Sequence, residues 1–360
     1  MDSAKSSILI IYTGGTIGMK TDAETGALVP FDFSAIYDEF PSLKRLNVDI
    51  DVHTVSPVID SSNVSPANWV ALAELIRDRY DRYDGFVVLH GTDTMSYTAS
   101  ALSFMLENLA KPVVFTGSQI PIGVLRTDGR ENLITAIEIA GARDGGGPVV
   151  PEVSLYFQNR LFRANRTTKR SAEALSAFRS YNYPPLAEVG VSIAYNRAAI
   201  RRSGDGTFCE ECGADAELSD GAAPLRIATR LEEGIAVVKL FPGMSECVLR
   251  SMLSAPGLRA VVLETFGAGN APTSEWFIRT LREAIERGVV VLNVTQCGGG
   301  KVSMELYETG LRLQKAGVVC GYDMTTEAAV AKLMYVLGLG LSAGRSLDLL
   351  RRPLRGEFTV

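Results

Sequence analysis

Histidine is almost missing from this chain, with only His53 and His90 among 360 residues. That scarcity argues against a histidine-built catalytic metal, and no H-E-x-x-H or paired acidic cluster takes its place. It also leaves no Ser-His-Asp arrangement in sight. Cysteine is sparse and odd in number, at positions 209, 212, 247, 297 and 320. Without an export signal, reduced thiols in a cytoplasmic protein are the economical reading. Cys209 and Cys212 would make half of a zinc site, but no second pair lies nearby to complete it. Long apolar runs are absent: none approaches the roughly 20 residues that span a bilayer. The first run, Ile8 to Tyr12, is too short for the core of a signal peptide. Basic blocks are missing too. The net charge of -5 carries no Lys/Arg cluster, which speaks against nucleic acid as a partner. These absences point to a cytoplasmic protein that works without membrane, nucleic acid, metal or cofactor.

What is present is ordinary globular composition, 46% hydrophobic and 21% charged, at a length that suits two domains. Short apolar runs at Ser7–Tyr12, Gly85–Leu89, Pro112–Phe115 and Val153–Phe157 alternate with helical patterns at Pro66–Arg79 and Thr94–Asn108. The second half repeats the alternation, with runs at Ile235–Leu240, Ala260–Glu264 and Val289–Val294. Helical patterns there cover Ser245–Leu253, Ser274–Arg287 and Thr326–Leu337. Buried strands separated by helices predict an α/β protein of two domains, each a mostly parallel sheet with flanking helices. Residues 196–230 are rich in Gly, Ala, Ser, Asp and Arg, and read as a connection with a surface excursion. The expected division is a larger domain over 1–195 and a smaller one over 231–360.

Three of the strands run into small, hydroxylated, glycine-rich turns. They are Thr13-Gly14-Gly15-Thr16-Ile17-Gly18, His90-Gly91-Thr92-Asp93-Thr94 and Thr116-Gly117-Ser118-Gln119. In open parallel sheets ligands bind beyond the carboxyl ends of the strands, so these turns collect where a ligand would sit. Each has a plainer explanation by itself. Thr94 can serve as a helix N-cap, and Asp93 can simply favour a helix N-terminus. The turns lack the P-loop and G-x-G-x-x-G patterns, and Asp93 suits the ammonium of a zwitterion better than a polyanion. A threonine nucleophile needs a base; with no triad histidine, a desolvated lysine is the usual substitute. Lys169, at the end of the polar stretch Arg160–Lys169, is one lysine among several.

Ile-Tyr-Thr-Gly-Gly-Thr-Ile-Gly-Met at 11–19 and Gly-Phe-Val-Val-Leu-His-Gly-Thr-Asp-Thr-Met at 85–95 resemble the two signature segments of the bacterial-type L-asparaginases. Asp60-Ser61-Ser62, Thr116–Gln119, Asn165–Lys169, Gly267–Pro272 and Thr295-Gln296-Cys297 extend the likeness over nearly the whole chain, weakest at 196–230. It is closest to the cytoplasmic type I branch. The resemblance implies hydrolysis of the side-chain amide of L-asparagine to aspartate and ammonia, with Thr16 as nucleophile. It casts Thr92, Asp93 and Lys169 as a second triad that activates the nucleophile and relays protons. Asp93 would also hold the substrate ammonium, and Asp60-Ser61-Ser62 would receive its backbone end. Ser118 would flank the scissile amide, and Asn270 would reach the site of a neighbouring subunit in a homodimer or homotetramer.

Two departures from the family pattern stand out. The stretch Thr25–Pro30 lacks the tyrosine that many members carry after the first signature, and Tyr307 is the expected substitute. Glu264 stands where some type I enzymes use an arginine to bind effector asparagine, so hyperbolic kinetics are expected. Two other readings share the motifs. One is the ammonia-releasing subunit of a tRNA-dependent amidotransferase, which carries an additional N-terminal domain, whereas the first signature here begins near residue 11. The other is a catalytically silent amino-acid-binding regulator, which would have no use for both threonines and the lysine.

Overall fold

The apolar run at the front of the chain forms β1, Ser6–Tyr12, in which Ile8, Leu9, Ile10 and Ile11 are each 1% exposed or less. A strand sealed on both faces belongs in the middle of a helix-covered sheet. The structure, a computed structural model, describes residues 5–21, 28–30, 40–201, 223–305 and 308–360. It divides into one unit of residues 1–180 and 184–227 and a second of residues 181–183 and 228–360.

In the first unit, β1 lies between β2 (Val48–Thr54) and β3 (Gly85–Leu89), both parallel to it. Next to β3 come β4 (Val113–Thr116) and β5 (Val153–Phe157), again parallel. The spatial order of the five parallel strands is therefore β2-β1-β3-β4-β5. The chain moves one way from β1 to β2 and the other way to β3, which makes the β1/β3 boundary a topological switch point. Three short antiparallel strands complete the sheet beyond β5: β6 (Arg160–Arg163), β7 (Ala187–Val189) and β8 (Ile193–Tyr195).

Helix α1 (Pro66–Arg79) begins where Ser65 N–H donates to Asn68 Oδ1 at 2.8 Å and Pro66 fits the first turn. It buries Trp69, Leu72, Ala73 and Ile76, and each large apolar side chain so buried contributes about 1.5–3 kcal/mol. Helix α2 (Met95–Met105) is buried along nearly its whole length, and α3 (Gly129–Gly141) packs Leu133, Ala136, Ile137 and Ala140 inward. Arg226–Ile227 pairs antiparallel with Leu106–Glu107, so part of the segment after 196 belongs to the first unit. Cys209 and Cys212 lie outside the described residues.

The second unit holds a four-stranded parallel sheet in the order β9 (Ile235–Lys239), β10 (Ala260–Thr265), β11 (Val290–Thr295), β12 (Val319–Cys320). Helices α4 (Glu246–Leu253) and α5 (Glu275–Glu286) pack Leu249, Leu253, Phe277 and Leu281 against it. Helix α6 (Glu308–Lys315) is followed by α7 (Thr326–Gly338), which carries Lys332. Lys332 Nζ lies 2.7 Å from a Glu357 carboxylate oxygen, and neither side chain is exposed at all. The lysine also donates to the carbonyls of Leu350 and Arg352, at 3.0 and 2.5 Å. The Glu357 carboxylate accepts the N–H groups of Leu354 and Arg355, so each buried charge is fully engaged.

Among the described residues no helix is long and apolar enough to cross a membrane, and no group of three His, Cys, Asp or Glu could hold a metal ion. Cys247, Cys297 and Cys320 are free thiols.

Candidate active site

Beyond the carboxyl ends of β1 and β3, two glycines bring their turns into backbone contact. Gly15 adopts φ +92°, and a Cβ there would lie 2.5 Å from both N and Cα of Gly91. A Cβ on Gly91 would in turn lie 2.5 Å from Ser61 Oγ. Only glycine permits this approach. Thr13 reaches across as well: its N–H and hydroxyl both donate to the Leu89 carbonyl, at 3.0 and 2.9 Å, while its own carbonyl accepts Ile59 N–H at 2.8 Å. The segments 13–16, 59–61 and 90–94 are thereby locked side by side at the switch point.

Thr94 occupies the N-cap position of α2, but its side chain makes no cap. The hydroxyl instead donates to the Ser61 carbonyl at 2.6 Å, an acceptor on the neighbouring turn, whereas the helix N-terminus presents only N–H donors. The expected cap function is thus replaced by a tie between turns. Asp60 accepts Ser62 N–H at 3.0 Å, which holds its carboxyl below the usual carboxylate range. Ser61 is buried and Ser62 exposed.

Lys169 arrives from a separate two-stranded ribbon outside the main sheet. Thr168–Lys169 pairs antiparallel with Phe178–Arg179, and the Phe178 ring packs on Phe157 at the end of β5 with centroids 5.0 Å apart. This short ribbon delivers Lys169 Nζ to 2.8 Å from Thr92 Oγ1 and 2.6 Å from Asp93 Oδ1. The lysine side chain is 17% exposed and that of Asp93 65%, so the pair spans the border between protein and solvent.

Gln119, which the sequence reading left without a role, closes the chain of contacts. Its Oε1 accepts the Thr92 hydroxyl at 3.1 Å, and its amide N–H groups donate to the carbonyls of Ala172 and Ala174. Those two carbonyls fix which end of the amide faces Thr92. A hydroxyl has one proton, so while Thr92 donates to Gln119 its lone pair faces Lys169. To pass a proton to Lys169, the Thr92 hydroxyl must turn off Gln119. Ser118 is 2% exposed, and its Oγ has no hydrogen-bond partner among the described residues. A buried, unsatisfied hydroxyl beside this cluster suits a ligand that supplies the missing bond.

Thr16 opens the turn Thr16–Gly18 and is exposed, and no hydrogen bond joins it to Thr92 or Lys169. Asn270 belongs to the second unit, where its Oδ1 accepts the Thr309 hydroxyl at 2.9 Å. Tyr307 lies outside the described residues, as do residues 25–27 of the stretch Thr25–Pro30. The structure thus joins Thr92, Asp93 and Lys169 directly, sets Thr16, Asp60 and Ser61 on turns tied to theirs, and leaves Asn270 in the other unit.

Comparison with known proteins places the whole chain beside one group of relatives. Residues 7–201 match the family described as Asparaginase, N-terminal, and residues 234–346 match the Glutaminase/Asparaginase C-terminal domain. The chain is 43% identical to L-asparaginase 1 of Escherichia coli K12, covering 99% of this chain and 98% of that protein. It is also 43% identical to the human 60 kDa lysophospholipase, matching 98% of this chain but only 61% of the length of that relative. Among solved structures, L-asparaginase I from Vibrio cholerae superposes with a TM-score of 0.86 at 42% identity, over 99% of this chain and 100% of that one.

Proposed function

The chain belongs to the asparaginase family, and from that premise we propose that it hydrolyses the side-chain amide of L-asparagine to L-aspartate and ammonia. The observation that carries the reading is the position of Lys169 Nζ, within hydrogen-bond reach of both Thr92 Oγ1 and Asp93 Oδ1 at the sheet's switch point.

In this scheme Thr16 Oγ1 adds to the amide carbon of the substrate. Lys169 takes the hydroxyl proton, by way of Thr92, and returns it to the leaving nitrogen. The C–N bond breaks, ammonia departs and an aspartyl ester remains on Thr16. Water then attacks the ester, restoring the Thr16 hydroxyl and freeing aspartate. Asp93 has two tasks, holding Lys169 in place and offering its exposed oxygen to the substrate ammonium. Asp60 and Ser61 receive the α-carboxylate end, Ser62 borders it, and Ser118 meets the amide with its unsatisfied hydroxyl. Backbone N–H groups of the glycine-flanked turns stabilise the oxyanion, a device whose loss typically costs about 3–4 kcal/mol.

The enzyme works in the cytoplasm as a homodimer or homotetramer without a cofactor, Asn270 reaching into the site of a neighbouring subunit and Tyr307 standing in for the tyrosine that many family members carry after the first signature. Purified protein incubated with asparagine alone tests the reading by ammonia release. An amidotransferase subunit would depend on its partner, and a silent regulator would release none. Rapid quench followed by mass spectrometry should find the aspartyl ester on Thr16.

A further inference from the structure

We propose that His90 is a positioning residue for this reaction, because its ring fixes the peptide between Gly91 and Thr92 and thereby presents the Thr92 N–H to the reacting carbonyl. The proposal rests on the asparaginase reading above. His90 is 3% exposed, and its Nδ1 lies 2.7 Å from the Gly91 carbonyl oxygen. A carbonyl only accepts, so Nδ1 carries the proton and Nε2 a lone pair. Thr98 Oγ1 lies 3.0 Å from Nε2 and spends its single proton there. That leaves the Thr98 oxygen to accept from Trp69 Nε1, a pure donor 3.0 Å away.

The chain of hydrogen bonds runs one way only, from Trp69 through Thr98 and His90 to the Gly91 carbonyl. Reversing any link would set two donors or two acceptors face to face. Burial pushes the imidazole down to about 4, which keeps it neutral and preserves the tautomer at ordinary pH.

The geometric consequence falls on the next residue. In a trans peptide the C=O and N–H point in opposite directions, and the bond between Gly91 and Thr92 is trans. Holding the Gly91 oxygen against a buried ring therefore aims the Thr92 N–H away from the core. That N–H has no partner among the described residues. It belongs to the residue whose side chain contacts Lys169, so a donor at this point meets charge as it develops on the substrate oxygen. The ring touches no reacting atom and acts through the peptide it restrains.

The test compares His90→Leu with His90→Asn and determines the ring tautomer in the wild type. Asparagine places an amide N–H near the position of Nδ1, whereas leucine offers none. His90→Leu should lower kcat by about 10- to 100-fold, with KM changed by less than about 3-fold, as expected when a transition-state donor is misaligned. His90→Asn should recover most of that kcat even if its melting temperature is no better than that of His90→Leu. Nitrogen-15 NMR of the two histidines, with His53→Gln assigning the signals, should find His90 as the Nδ1–H tautomer with a shift unchanged from about pH 8 to about pH 5.5.

An Nε2–H tautomer would overturn the proposal, as would wild-type kcat in folded His90→Leu, or kcat in His90→Asn no better than in His90→Leu. If His90→Leu does not fold, the wild-type tautomer and the kcat of His90→Asn decide. Failure of the wild type to release ammonia would instead remove the underlying reading, an outcome separate from the state of the ring.

Discussion

Lys169 Nζ and Asp93 Oδ1 stand 2.6 Å apart although 76 positions separate them in the chain. The sheet order brings them together: Asp93 follows β3, and Lys169 follows the strand hairpin two strands away. The pair's partial exposure limits its value to stability to less than about 1 kcal/mol, so its worth is chemical.

Lys169→Met should therefore lower kcat by about 1000-fold or more while the melting temperature moves by only a few degrees. Thr16→Ala should match that loss and abolish the ester adduct. Asp93→Ala should raise KM as well as lower kcat. Steady-state kinetics with calorimetry checks all three, and near-normal turnover in either of the first two would remove the proposed nucleophile or base.

Asparagine saturation should follow a hyperbola. Glu264 accepts the Thr326 hydroxyl at 2.5 Å and lies 3.2 Å from Lys239 Nζ, with 13% of its side chain exposed. A carboxylate held in place there repels the carboxylate of an effector amino acid. Initial rates over a wide range of asparagine test this, and a sigmoidal curve would contradict it.

Acid should weaken the protein through His90. Its ring falls from 6.5 to about 4 on folding because burial disfavours the imidazolium. Below pH 6.5 the unfolded chain binds a proton that the folded chain refuses, so this contribution is whole above 6.5 and drains away towards about 4. By about pH 5 the wild type should lose about 2 kcal/mol relative to its stability at neutral pH. Denaturant melts of wild type and His90→Asn at both pH values isolate the effect. A constant difference between the two proteins would refute it.

Lys332→Met should cost about 3–5 kcal/mol by leaving Glu357 buried without its partner, and Lys332→Met with Glu357→Leu should recover most of the loss. Burial drives Lys332 down against the pull of Glu357. Burial alone would raise Glu357, but Lys332 and the N–H groups of Arg355 and Leu354 bring it below the usual range. Chemical denaturation of the single and double variants decides this, and equal losses in both would show that the charges do not depend on each other.

The central strands were legible because each is an unbroken apolar run, and β1, β3, β4 and β5 fall within a residue or so of the expected positions. Strand β2 was readable but overlooked. Val48-Asp49-Ile50-Asp51-Val52 alternates with period two, as suits the outer edge of the sheet, where one side stays wet. Strands β7 and β8, three residues each and mostly half-exposed or exposed, carry no pattern for a reader to find.

At the site, turn chemistry pointed to Thr16 and Thr92, but spacing gave no reason to prefer Lys169 over other lysines. Its place depends on the ribbon anchored by Phe178 against Phe157, a contact between distant segments. Gln119 and His90 escaped for a related reason. Both lie inside recognised motifs, yet their partners, Ala172, Ala174, Thr98 and Trp69, are scattered along the sequence.

The abutment of Gly15 on Gly91 constrains anyone wishing to widen the range of amides this protein accepts. A methyl group on Gly15 would wedge its turn, which carries the proposed nucleophile, away from the turn that bears Thr92 and Asp93, and one on Gly91 would drive into the Ser61 side chain. Libraries aimed at new substrates should leave both glycines untouched and place their diversity on side chains that already face the cleft.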